Sequence, residues 1–178
     1  MTNKQNAARK ALIVTTVMTL VGATIVVFAL RDWTFALPSF LFYLLLLVNT
    51  FFSIRCFSTI TPPSIEQSTV DLTLLLLYFV MASTFGNPFF FLLSNVAMFA
   101  VATLKYSLLL GKTSHDTQLR YKIIMDGIGT ISATFCLLIT ILLEHTHPQL
   151  GLWIWTIGFI FGNAYVFFVR PLYLVPEV

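Results

Sequence analysis

Charge is what this sequence has least of. Only 10% of its 178 residues are Asp, Glu, Lys or Arg, against about 25% in an ordinary soluble domain. Ten basic and seven acidic side chains cannot build a polar shell around so much apolar surface. A water-soluble globule is excluded, and lipid is the expected solvent. Cysteine is scarce too. Cys56 falls near a membrane edge and Cys136 inside a span, so no disulfide framework is expected. Catalytic signatures are missing: there is no GxSxG, no HExxH, no phosphate-binding glycine loop, and no Ser/His/Asp set able to converge. Neither an enzymatic activity nor a cofactor is expected. The net charge of +3 is no nucleic-acid signal, because the basic residues lie at the ends of apolar runs rather than among aromatics on a polar face.

What is present is hydrophobic length. A membrane-spanning helix needs roughly 20 apolar residues, and six runs qualify: 10–30, 35–54, 65–84, 88–110, 121–143 and 150–170. The expected fold is all-α, a single six-helix transmembrane domain over 1–178. The first run follows Lys4, Arg9 and Lys10 as a secretory signal would. It is longer than a signal core and has no small-residue cleavage site, so it reads as a retained helix. Ser64 and Gln67 stand at capping-box spacing before helix three. Gly86-Asn87-Pro88 marks a tight turn that makes helices three and four a hairpin, with Pro88 opening helix four. Pro38 reads as a first-turn proline or a kink in helix two.

Basic residues orient the spans. An N-terminus inside puts Lys4, Arg9, Lys10, Arg55, Lys105, Lys112, Arg120, Lys122 and Arg170 on the inner side and Arg31 alone outside, a strong positive-inside bias. Both termini are expected in the cytoplasm, with a bacterial inner (plasma) membrane as the location. Trp33, Trp153 and Trp155, with Phe85, Phe89 and Phe90, then fall at the outer interface as half of an aromatic belt, and Tyr106, Tyr121 and Tyr173 fall inside.

Polar residues within spans are costly and ask for a reason. Asn49, Asp71, Lys105, Asp126 and Asn163 lie on five helices at similar depth in the cytoplasmic third; Asn95 lies nearer the middle. One reading is a polar vestibule open to the cytoplasm, with Asp126 and Asp71 as cation or proton sites. The other is architectural: Lys105 snorkels, Asp126 pairs with it or favours a helix N-terminus, and the asparagines join helices. Gly158 and Gly162 form a GxxxG, and Gly129 with Ala133 a second small-residue pair. Together they point to close packing of helices five and six, or to a homodimer face. Glu144, His145 and His147 carry metal-ligand chemistry in an outer loop but lack a fourth ligand. His115-Asp116 reads as a solvated inner loop.

From Asn95 to about Tyr173 the chain resembles the transmembrane domain of the cation diffusion facilitators, six-helix metal/proton exchangers. The likeness lies in a fourth helix ending at Leu110-Gly111-Lys112, a short polar loop, the run from Lys122 to Ser132, and the Pro148/Trp153 approach to helix six. The resemblance implies a metal ligand at Asp126. It departs where the family has a further ligand and this chain has Lys122, and helix two (Phe35 to Ile54) lacks the family's acidic pair. Val178 follows helix six too closely for the family's cytoplasmic metal-binding domain. The resemblance thus implies a divergent member without the usual metal site. Two functions stay open. One is a small transporter moving a cation or small solute through a cytoplasm-facing polar cavity. The other is a non-catalytic subunit or substrate-binding module of a larger membrane complex. The lipid bilayer is the expected surrounding, and a homodimer or membrane-complex partner is possible.

Overall fold

The computed structural model describes residues 3–29, 33–110, 112 and 116–173, without the side chains at 3–4, 28–29, 33–35 and 116. Arg31, His115 and the side chains of Trp33, Phe35 and Asp116 therefore lie outside the described residues. The described chain is helical, with no strand among it: α1 (Asn3–Ala29), α2 (Trp33–Phe57), α3 (Ile65–Ser83), α4 (Pro88–Leu109), α5 (Asp116–Leu142) and α6 (Leu150–Ala164), closed by a π turn over Tyr165–Val169. All six are long and apolar enough to cross a membrane, over Gln5–Val27, Ala36–Phe57, Ile65–Ser83, Pro88–Leu109, Thr117–Leu142 and Leu150–Val169. Six helices of this length and apolarity are the architecture of a multi-pass membrane protein.

The helices outrun the apolar segments. α1 and α5 begin several residues before the expected 10 and 121. The polar residues there are good helix formers, and a helix needs no lipid to continue. The α3 and α4 starts fall where the capping signals place them. Ser64 accepts a hydrogen bond from the Gln67 amide at 3.2 Å, and Asn87 accepts one from Phe90 N at 3.2 Å with Pro88 in the first turn. The capping box is half made, because the Gln67 side chain does not return the bond. Pro38 sits within α2, beyond its first turn, and its carbonyl accepts from Thr156 Oγ1 at 3.1 Å.

Neighbour contacts run α1–α2–α6–α5–α4–α3 and back to α1, a closed ring of six. The 58–64 connection carries the chain from α2 to α3 on the far side of α1. Alternating helix direction puts the start of α1, the 58–64 loop, Lys112 and residues 170–173 at one end, called here the basic end. The outside of the ring is apolar, with Leu20, Leu72, Ile131, Phe135, Leu142 and Phe161 exposed. In lipid such a surface carries no penalty, and every helix satisfies its own backbone.

The two halves of the interior differ. Away from the basic end the ring is filled with rings. Phe42 stacks on Trp155 at 5.4 Å and meets Phe159 at 4.4 Å and Phe91 at 5.8 Å. Trp155 Nε1 donates to Asn95 Oδ1 at 3.4 Å, and Asn95 Nδ2 to Phe91 O. Trp155 and Phe85 were expected in an interfacial belt; both are buried in this core instead. Trp155 lies in the second turn of α6 on the face toward α2 and α4, and its N–H needs a partner that Asn95 supplies. Asn95 is thereby a satisfied core residue. Phe89 and Phe90 are exposed as expected.

Glycine sets how closely α5 and α6 approach, but at an unexpected position. A Cβ on Gly151 would lie 2.3 Å from both Cys136 O and Thr140 Oγ1, so α6 touches α5 there. Around Gly158 and Gly162 nothing lies within 4 Å of a built Cβ. The GxxxG is not the α5–α6 contact. Gly129 faces Phe99 of α4 at 2.6 Å rather than α6. A small-residue motif reports permitted approach without saying which face is used.

Candidate functional site

Five helices bring their polar residues to the basic-end half of the ring, where two cavities meet. The larger, 630 Å³, lies inside the ring and reaches the 58–64 loop. Its lining includes Lys10, Asn49, Gln67, Asp71, Lys105, Lys122 and Asp126. The smaller, 500 Å³, is a crevice between α5 and α6 with Asn49, Lys122, Asp126, Asn163 and Tyr173 at its polar end. Asn49, Phe99, Lys122 and Asp126 line both. Both volumes fall in the range of about 300–1,000 Å³ usual for ligand sites.

The polar groups pair in a way that differs from the expectation. The architectural reading paired Asp126 with Lys105 or set it at a helix N-terminus. The Lys105 ammonium instead lies 2.6 Å from Asp71 Oδ1 across the α3–α4 boundary, and Lys10 of α1 stands 4.0 Å from the other Asp71 oxygen. Asp126 pairs with Lys122 at 2.6 Å, one turn earlier on α5. The reason is reach: residues four apart on a helix are neighbours, whereas Lys105 points toward α3. Asp71 is 40% exposed at its side chain and Asp126 only 3%. One pair is therefore wet and the other dry. Tyr106 joins them. Its ring lies 5.7 Å from the Lys105 ammonium and 5.4 Å from that of Lys122, a cation–π distance for both, and its hydroxyl shares a hydrogen bond of 2.6 Å with Ser53.

Asn49 and Asn163 bridge α2 and α6 through an Asn49 Nδ2 to Asn163 Oδ1 bond of 3.0 Å. Asn163 Nδ2 donates to Phe159 O, and the Tyr173 hydroxyl donates to Asn49 Oδ1. Desolvation pushes the Tyr173 phenol well above its ordinary value, which keeps it a donor. These amides act as helix-joining groups while also walling both cavities. Several buried polar groups lack a hydrogen-bond partner, among them the Ser58 hydroxyl on the wall of the larger cavity. Asp126 Oδ2 has no protein partner, and neither Gln67 Nε2 nor Gln67 Oε1 has one. Such groups are rare and ask for an explanation.

Asn49, Asp71, Lys105, Asp126 and Asn163 thus converge at one end, while Asn95 belongs to the aromatic core and Gly129, Gly158 and Gly162 line the crevice. Lys122, Tyr106, Tyr173, Gln67 and Lys10 complete the cluster and were not in the expected set. Lys122 to Asp126 was legible as a four-residue spacing, and the tyrosines carried no signal beyond their end of the helix. At the opposite end Glu144, His145 and His147 are exposed, and no three His, Cys, Asp or Glu side chains gather into a metal-binding group among the described residues. Cys56 and Cys136 are free and buried.

No protein-family model, curated protein or solved structure matches this chain.

Proposed function

We propose that this protein is a small transporter whose solute site is the cavity at the basic end, with that end in the cytoplasm. The observation that carries the reading is a half-open path. A cavity of 630 Å³ reaches the 58–64 loop and ends against Phe99, and the Phe42–Trp155–Phe159 stack blocks the way beyond it. One-sided access to a polar centre, closed on the other side by packed side chains, is what alternating access requires of one state. Ionisable groups at membrane depth are functional candidates by default.

Orientation follows from charge. Nine of the ten Lys and Arg residues belong to segments at or near the basic end, so that end, with both termini, is assigned to the cytoplasm under the positive-inside rule. Charge also narrows the solute. Lys10, Lys105 and Lys122 outnumber Asp71 and Asp126 on the cavity wall, and each carboxylate already has a lysine. A small solute bearing an anionic group suits this lining better than a bare metal ion does. Lys105 would contact its charge, and Asp126 would hold Lys122 in place or take up a coupling proton. The resemblance to cation diffusion facilitators enters as architecture only, since Lys122 neutralises the one matching ligand.

The test is uptake into liposomes holding the purified protein, with acetate, lactate, phosphate, rubidium or manganese supplied singly. Entry of an anionic probe that Asp126→Asn and Lys105→Gln both abolish, compared at equal amounts of folded protein in the liposomes, is expected. Entry of rubidium or manganese alone would overturn the anionic preference. No flux of any probe, together with a stable partner protein recovered in mild detergent, would instead favour a non-catalytic subunit.

A further inference from the structure

The crevice between α5 and α6 leads away from the solute path, sharing Asn49, Phe99, Lys122 and Asp126 with the inner cavity. It looks sideways out of the ring, between two neighbouring helices whose flanking residues Ile131 and Phe161 are 73% and 70% exposed. It exists because the helices touch at Gly151 and separate beyond it. Gly158 and Gly162 present no side chain to fill the gap and have nothing within 4 Å of a built Cβ. Its walls are apolar, with Ile128, Phe135, Ile154 and Phe159. From Cys136 to Lys122 it runs about 20 Å at 1.5 Å per residue. Its narrow end is polar. There Asp126, 2% exposed, keeps one carboxylate oxygen without a protein partner, while Asn163 and Tyr173 stand beside it.

We infer that this crevice binds a hydroxyl-headed, single-chain lipid entering from the bilayer, its chain along Gly158 and Gly162 and its hydroxyl at the Lys122–Asp126 pair, where a turn of the Asp126 carboxylate brings the unpartnered Oδ2 onto it. The apolar walls and lateral opening specify a chain. The electroneutral Lys122–Asp126 pair specifies the head. An ammonium would face Lys122, and a carboxylate or phosphate would face the carboxylate of Asp126. A hydroxyl donates to the unpartnered oxygen and brings no charge into a low-dielectric site, where an unpaired one is expensive. Binding here shares Asp126 with the transport reading but does not depend on flux, and its test reads occupancy alone.

Trp155 lines the crevice yet is only 4% exposed, so bromine atoms on a bound chain would reach it where bulk lipid does not. With Trp33→Phe and Trp153→Phe, Trp155 emission is measured in phosphatidylcholine vesicles doped with a mid-chain dibrominated alcohol, amine or fatty acid of one length. The expected result is saturable quenching by the alcohol at a severalfold lower mole fraction than by either charged analogue. Gly158→Leu, which has room to fold but fills the crevice, should abolish that saturable component. Equal quenching by all three probes, a preference for the amine or the acid, or unchanged quenching in Gly158→Leu would overturn the inference.

Discussion

Lys122 Nζ sits 2.6 Å from Asp126 Oδ1, and this dry ion pair forms part of the wall of both cavities. Removing one partner leaves a lone charge away from water, which costs about 3–5 kcal/mol, whereas replacing both with apolar residues is often neutral. Lys122→Met and Asp126→Leu should therefore each lower the unfolding temperature in detergent strongly, and the double variant should recover most of the loss. If the pair serves transport, that stable double variant will carry no flux. A double variant that is both stable and active would make the pair architectural.

The second pair behaves differently because it meets water. Asp71 is 40% exposed at its side chain and Lys105 15%, so its Coulomb attraction is screened and adds about 0–1 kcal/mol. Asp71→Asn should leave the unfolding temperature nearly unchanged. Asp71→Cys, with Cys56→Ala and Cys136→Ala, should react with a membrane-impermeant maleimide in inside-out vesicles and resist it in right-side-out cells. Asn95→Cys, fully buried, should resist in both. Labelling of Asp71→Cys from the outside would reverse the proposed orientation.

Much of this arrangement was legible in the sequence. The six spans, the Ser64 cap, the Pro88 start of α4 and the convergence of five polar residues follow from local rules: run length, capping and turn chemistry, and depth along a helix. What failed were statements about azimuth. Depth placed Lys105 level with Asp126, but direction around α4 gave it to Asp71. Trp155 near the start of α6 matched an interfacial aromatic by depth, and faces the core by rotation. Hydrophobicity all round a helix erases the periodic stripe that would reveal its inward face, so lipid-exposed and buried apolar residues look alike. The same ambiguity hid the gap beside Gly158 and Gly162.

Glycine substitutions separate the touching and parted stretches of α5 and α6. At Gly151 an added methyl would meet the Cys136 carbonyl at 2.3 Å. Backbone cannot yield as a side-chain tip does, and overpacking of this kind costs about 1–3 kcal/mol or more. Gly151→Ala should lower the unfolding temperature and the yield of folded protein. Gly158→Ala and Gly162→Ala should leave the fold intact or raise its stability slightly, since alanine is the better helix former by about 1 kcal/mol. Equal damage from all three would mean that α5 and α6 close together along their whole length.

Gln67 gives a test of whether the inner cavity trades stability for function. Its backbone N–H completes the Ser64 cap, but its side-chain amide, 4% exposed overall, has no protein partner for either Nε2 or Oε1 and lines the larger cavity. A buried polar group left unpaired costs about 1–3 kcal/mol, so Gln67→Leu, which keeps the backbone cap, should raise the unfolding temperature. A solute bound in the cavity would use the same amide, so the stabilised variant should take up solute with a higher KM. Gln67→Glu buries a charge near the Asp71 carboxylate and should be less stable than the parent. A fall in unfolding temperature with Gln67→Leu would show that water already satisfies the amide, and the cavity would then be wet as far as α3.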